Sequence, residues 1–218
     1  MELTDIASVF EDTTFTTHER FVLSEQHLDE EADILYMMDT TGMYDTSEEI
    51  YYITGDVQSK NQPPESYELV HRESTRYDRF GDNPWADIPD NKFTAPRFDI
   101  RNAIDIIGDN NFTRSDNSFI HRVTDTEKLR RIGEECFNLN IPTGQEDEFD
   151  AHAKHVDIKL TVTDTIDEAL IKFQQRAGEE RVLNIVYNCE FTEWGTPIQD
   201  IPEPSFDIDN SEVVEVEE

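Results

Sequence analysis

Residues 156–191 read VDIKLTVTDTIDEALIKFQQRAGEERVLNIVYNCEF, and their periodicity carries the fold reading. Val156, Ile158, Leu160 and Val162 alternate with Asp157, Lys159 and Thr161, the period of a strand with one face buried. Thr165-Ile166-Asp167-Glu168 then has capping-box spacing, and Ile166, Ala169, Leu170, Phe173 and Ala177 form a stripe at helical spacing that Gly178 is placed to end. From Val182 to Phe191, Leu183, Ile185, Tyr187, Cys189 and Phe191 return to strand alternation. The stretch predicts strand, helix, strand.

Working upstream, Thr124-Asp125-Thr126-Glu127 again has capping-box spacing, and Leu129, Ile132, Cys136 and Phe137 share one face, which predicts a second helix. Ser115-Asp116-Asn117 separates Phe112 from Phe119–Val123 as a hairpin turn would. Residues 81–96 hold Pro84, Pro89 and Pro96 among Asp and Asn, which predicts a long loop without regular structure. Tyr67, Leu69 and His71 alternate as a strand, and the runs 21–23, 34–38 and 50–53 also read as strands. Thr40-Thr41-Gly42 and Thr54-Gly55-Asp56 read as turns after the last two. The expected fold is mostly β, a β-sandwich or jelly-roll-like arrangement with two amphipathic helices, with α+β as the alternative. Residues 1–194 read as a single β-rich domain, with an acidic N-terminal stretch over 1–59, the proline-rich loop 81–96 and the strand-helix-strand unit 156–191. Residues 195–218 read as an extended acidic tail.

The 218 residues carry 18 Lys and Arg against 50 Asp and Glu, a formal net charge of -32. Residues 1–59 hold 15 acids and Arg20 alone, and ten acids with no Lys or Arg follow Arg181. Phosphate binding draws its affinity from Lys and Arg, so direct duplex binding is not expected, nor is docking on an anionic membrane. No apolar run approaches the roughly 20 residues that span a bilayer. Residues 1–6 lack the basic and apolar regions of a secretory signal, so the chain reads as intracellular and the sequon at Asn111 as accidental. Cys136 and Cys189 both fall in apolar patterns and read as buried free thiols, with a disulfide as the alternative.

Self-repulsion on this scale opposes folding in dilute buffer, whereas near 1 M salt the Debye length falls to about 3 Å and the opposition fades. Six Lys beside 12 Arg, abundant Thr and 22 aromatic residues accompany the acid. In these respects the composition resembles proteins of halophiles that keep molar salt in the cytoplasm, haloarchaea and their viruses. With 9 Ala and 8 Gly the chain departs from the Ala- and Gly-rich norm of such proteomes, and this fits a virus or an atypical host better than a housekeeping protein.

No Walker loop, dinucleotide-binding glycine pattern, nucleophile elbow, zinc-spaced cysteine set or complete EF-hand occurs. His152 and His155 lie near Asp147, Glu148 and Asp150, but a three-residue histidine spacing serves a metal on a helix and a strand begins here. Asp150 followed by Asp157-Ile158-Lys159 looks like the acid, acid-x-Lys pattern of restriction-endonuclease-like nucleases, whose carboxylates hold Mg²⁺ while the Lys steadies the attacking water. The match spans about ten residues, with nothing basic nearby to hold DNA. Nucleic-acid mimicry, a further alternative, expects acid along one continuous face, whereas here it gathers at the termini and in loops.

These observations leave no catalytic residue, cofactor site or metal site and point away from an enzyme. The expected function is that of a structural subunit of a halophilic archaeal virus particle, a capsid or a tail or neck component, present in the host cytoplasm during assembly and then in the virion. The unit 156–191 looks somewhat like that of tailed-virus tube subunits. Expected partners are copies of itself and other particle proteins, in a homo-oligomer. Candidate interaction residues are the aromatic anchors Trp85, Phe93 and Phe98, which could equally pin the loop to its own domain, and the tail positions Phe206, Ile208, Val213, Val214 and Val216. The tail carboxylates are expected to meet Arg72, Arg76, Arg79, Arg97 and Arg101.

Overall fold

The computed structural model of the chain describes residues 3, 8–27, 31–72, 75–88, 98–137, 152–176, 180–198 and 201–204. Among the described residues eleven strands form one antiparallel sheet: β1 Thr14–His27, β2 Asp33–Asp45, β3 Ile50–Ser59, β4 Glu65–Arg72, β5 Thr75–Phe80, β6 Ala86–Ile88, β7 Thr113–Ser115, β8 Ser118–Val123, β9 Ala153–Val162, β10 Ile166–Arg176 and β11 Arg181–Thr192. Their order is β6-β5-β4-β3-β2-β1-β11-β10-β9-β8-β7. The chain therefore starts in the middle of the sheet, steps outward to β6, crosses to the opposite edge at β7, and steps back until β11 pairs with β1. Helix α1, Ile100–Ile107, lies on the crossing, and α2, Thr126–Arg131, continues as a π turn through Cys136 between β8 and β9. Among the described residues the protein is mostly β, with two α-helices of eight and six residues.

Alternation decides which face of the sheet is buried. Tyr67 and Leu69 of β4, Val156, Ile158 and Leu160 of β9, Ala169, Ile171 and Phe173 of β10, and Tyr187, Cys189 and Phe191 of β11 all point into one core. Helix α1 adds Ile100, Ala103, Ile104 and Ile107, the i, i+3, i+4, i+7 stripe that a helix needs to cover a sheet. Asp99 caps it, accepting from Asn102 N at 3.0 Å, and Gly108 follows it at φ 87°. In α2 the cap is Asp125, which accepts from the Lys128 backbone N–H, and Leu129, Ile132 and Cys136 are buried as the sequence predicts. Cys136 and Cys189 are both buried free thiols. Among the described residues no helix is long and apolar enough to cross a membrane.

Four sequence expectations need correction. Residues 166–176 form strand β10 rather than a helix. The stretch carries a second pattern, Ala169, Ile171 and Phe173 at period two, and it lies between strands close enough in sequence to pair with it on both sides. A bulge between Ile166 and Glu168 lets Ile166 also face inward, so a stripe at helical spacing coexists with a strand. The expected capping box is instead part of the β9–β10 turn, where Thr163 Oγ1 donates to Asp167 Oδ1 at 3.1 Å.

Helix α1 occupies a stretch for which the sequence reading gave no helix. The triplets around Gly42 and Gly55 are not turns. They lie inside β2 and β3 and pair with each other, Thr40 with Gly55 and Gly42 with Ile53. A Cβ at Gly55 would stand 2.1 Å from the Asp39 carbonyl oxygen, so the glycine serves close strand approach. The turn comes at Thr46–Glu49, where Asp45 Oδ1 accepts from the backbone N–H groups of Ser47 and Glu48. Finally, the loop 81–96 contains strand β6, three residues between Pro84 and Pro89 that pair with β5.

Candidate functional site

Strands β8, β9 and β10 carry a groove of about 360 Å³ on the face of the sheet opposite the helices. Register builds it. Ile120 pairs with Lys159 and Lys159 with Leu170, so these three make one cross-strand row. Arg122, Asp157 and Lys172 make the next row. Facing side chains in such rows stand about 5 Å apart, close enough to act as one surface. Ile120 is 42% exposed, an unusual position for a large apolar side chain, and Leu170 is half-buried beside it. The groove thus joins an apolar floor to three cations and one carboxylate on a chain whose net charge is -32.

Within it, Arg122 grips Asp157 with two bonds, from Nε at 2.5 Å and from Nη2 at 2.7 Å. These bonds, with smaller help from His155 and Lys172, hold the Asp157 carboxyl below its ordinary range. His155 Nε2 lies 3.6 Å away. Asp157 is therefore already matched by a cation, and both its oxygens are engaged. Among the described residues neither Lys159 nor Lys172 forms an ion pair. The charge that the groove offers outward is positive.

A second polar cluster is shut inside the core. Glu19 of β1 is 1% exposed. Its Oε1 accepts from Thr17 Oγ1 at 2.9 Å and from the Tyr44 hydroxyl, and its Oε2 accepts from the Tyr187 hydroxyl at 2.9 Å. Burial, then the Glu19 charge, raises Tyr44 well above its ordinary value. Burial foremost does the same to Tyr187 and Cys189. All three stay protonated through the neutral range, so the phenols serve as donors. All members of the cluster are buried, and it reads as an internal tie across β2, β1 and β11. Sequence reasoning missed it, because an acid in a strand reads as outward-facing.

Those residues proposed from sequence that are described are committed within the fold. Trp85 and Phe98 are buried, at 7% and 0% exposure, with the Arg79 guanidinium 4.8 Å over the Trp85 ring. Arg79 also pairs with Glu68, and Arg76 grips Asp78 at 2.6 and 2.7 Å. Arg101 lies 3.8 Å from Glu11. Arg72 Nη1 lies 4.0 Å from Glu203 Oε1, which brings a tail carboxylate to one of the expected arginines, within the same chain. Phe93, Arg97, Phe206, Ile208, Val213, Val214 and Val216 lie outside the described residues, as do Asp147, Glu148 and Asp150. Lys159 shares a face with Asp157 but stands in the other row. Among the described residues no three His, Cys, Asp or Glu side chains are grouped to hold a metal ion.

No family model and no curated protein matches the sequence. Among solved structures, a β-barrel-like protein of a domain of unknown function, DUF1849, from Brucella abortus is similar over 85% of this chain and 98% of its own, with 6% identity and a TM-score of 0.25.

Proposed function

We propose that this chain is a structural subunit that works by binding protein, its own copies first, and performs no catalysis. The observation that carries this reading is the outer groove, where exposed Ile120 and half-buried Leu170 flank Lys159 in one row, Lys172 stands in the next, and neither lysine forms an ion pair among the described residues. An apolar floor with a cationic rim is suited to an acidic, partly apolar polypeptide. A chain of net charge -32 supplies such polypeptide in every copy. Molar salt shortens the range of copy-to-copy repulsion to about 3 Å while leaving apolar burial in place. The setting that fits is a particle assembled in a high-salt cytoplasm, such as that of a halophilic archaeal virus.

Sedimentation velocity across a KCl titration, with circular dichroism on the same samples, tests the reading. The expected result is a loose monomer in dilute buffer, and a compact fold that forms defined oligomers in molar KCl. A strictly monomeric protein at every salt concentration would overturn the proposal. Mg²⁺-dependent DNA cleavage lost on Asp157→Asn would replace it with the nuclease reading.

A further inference from the structure

We infer that the groove over β8, β9 and β10 receives residues 205–218 of a second copy of the chain. This rests on the reading of the protein as an assembling subunit and names what the groove binds. The segment holds six acids and no Lys or Arg, opposite in sign to Lys159 and Lys172. Its apolar residues alternate with those acids: Phe206 and Ile208 flank Asp207, and Val214 and Val216 flank Glu215. In an extended chain that alternation puts apolar side chains on one edge and carboxylates on the other. Laid across the three strands between the two rows, the segment turns its apolar edge to Ile120 and Leu170 and its acidic edge to the row of Lys172, with Lys159 meeting it from between the two apolar side chains. Asp157 does not repel it, because Arg122 already neutralises that carboxylate.

Reach favours a neighbour's segment over the chain's own. Glu203 stands beside Arg72, at the end of β4. From β4 the sheet runs through β3, β2, β1, β11 and β10 before it reaches β9. At about 4.8 Å per strand that path is about 29 Å along the sheet. An extended chain covers about 3.4 Å per residue, so about nine residues beyond Glu203 are used in reaching the groove. That leaves about six of the chain's own residues, 213–218, for its own groove. A second copy has no such tether and can present the whole segment.

Charge exchange between full-length chains tests this, with association measured by sedimentation equilibrium at the lowest KCl concentration that keeps each variant folded. Lys159→Glu with Lys172→Glu is expected to weaken self-association about tenfold or more, since each attractive pair becomes a repulsive one. Glu212→Lys, Glu215→Lys and Glu217→Lys together should do the same, and the chain carrying all five changes should recover most of the loss. Groove-reversed chains that associate like the unaltered protein would overturn the inference and leave the assembly reading standing. So would a five-fold variant no better than either parent set. An unaltered chain that does not associate would overturn both.

Discussion

The Tyr187 hydroxyl donates to Glu19 Oε2 at 2.9 Å, joining residues 168 positions apart across the seam where the last strand of the sheet meets the first. Both residues are buried, and among the described residues Tyr187 is the donor that Oε2 has, since Thr17 and Tyr44 serve Oε1. Tyr187→Phe removes the hydroxyl, keeps the ring and leaves a buried carboxylate oxygen without its donor. A buried hydrogen bond to a charged group contributes about 1.5 to 3 kcal/mol, and that loss is expected in denaturant unfolding in molar KCl.

Gly42 makes the cluster possible. A Cβ there would stand 2.4 Å from Tyr44 Cε2, 2.6 Å from its hydroxyl and 2.7 Å from Thr17 Oγ1. Gly42→Ala therefore forces the Tyr44 ring off Glu19, and overpacking of this kind costs about 1 to 3 kcal/mol. If the same loss appears again when Gly42→Ala is added to Tyr44→Phe, the glycine does not act through that contact.

Alkaline pH should loosen the same seam. Tyr44 and Tyr187 are raised above their ordinary 10.0, and Cys189 above its ordinary 9.0, chiefly by burial. The unfolded chain thus releases these protons at a lower pH than the folded one. Their contribution is fully present below about pH 9 and falls as the pH rises through 9 and 10 toward the folded-state values. Unfolding free energy measured against pH at constant high salt should decline there, and less steeply in Tyr187→Phe.

Strand β10 separates what can be read in the sequence from what cannot. The alternation in β9 and β11 is legible, because half-buried strands write their period into the chain. The stretch between them carries two periods at once, since the bulge beside Ile166 adds a helical coincidence to Ala169, Ile171 and Phe173. For that reason half of the groove is hidden in the sequence. Asp157 and Lys159 can be placed on one face, but Leu170 and Lys172 join them only once β10 is a strand. The α1 stripe of Ile100, Ala103, Ile104 and Ile107 after Asp99 is present in the sequence, though masked by the proline-rich loop beside it. Glu19 has no sequence signal, because its donors come from β2 and β11 as well as from its own strand.

The two readings of β10 differ in a way that mutation can see. Ile171 is fully buried in the strand and off the helical stripe, whereas Leu170 is on that stripe and faces the groove. Ile171→Ala is expected to cost about 2 to 5 kcal/mol of stability. Leu170→Ala should cost much less and weaken self-association instead. The reverse order would contradict the strand assignment.

The most direct test of the account is zero-length carbodiimide crosslinking of an equal mixture of ¹⁴N- and ¹⁵N-labelled full-length chains, assembled in high KCl and read by mass spectrometry. The account predicts crosslinked peptides that join Lys159 or Lys172 to a carboxylate within 205–218, in mixed-isotope pairs that only contact between copies can produce. Same-isotope pairs alone would show the segment folding back on its own chain. Crosslinks from 205–218 that go elsewhere, with none at Lys159 or Lys172, would contradict the groove as its site.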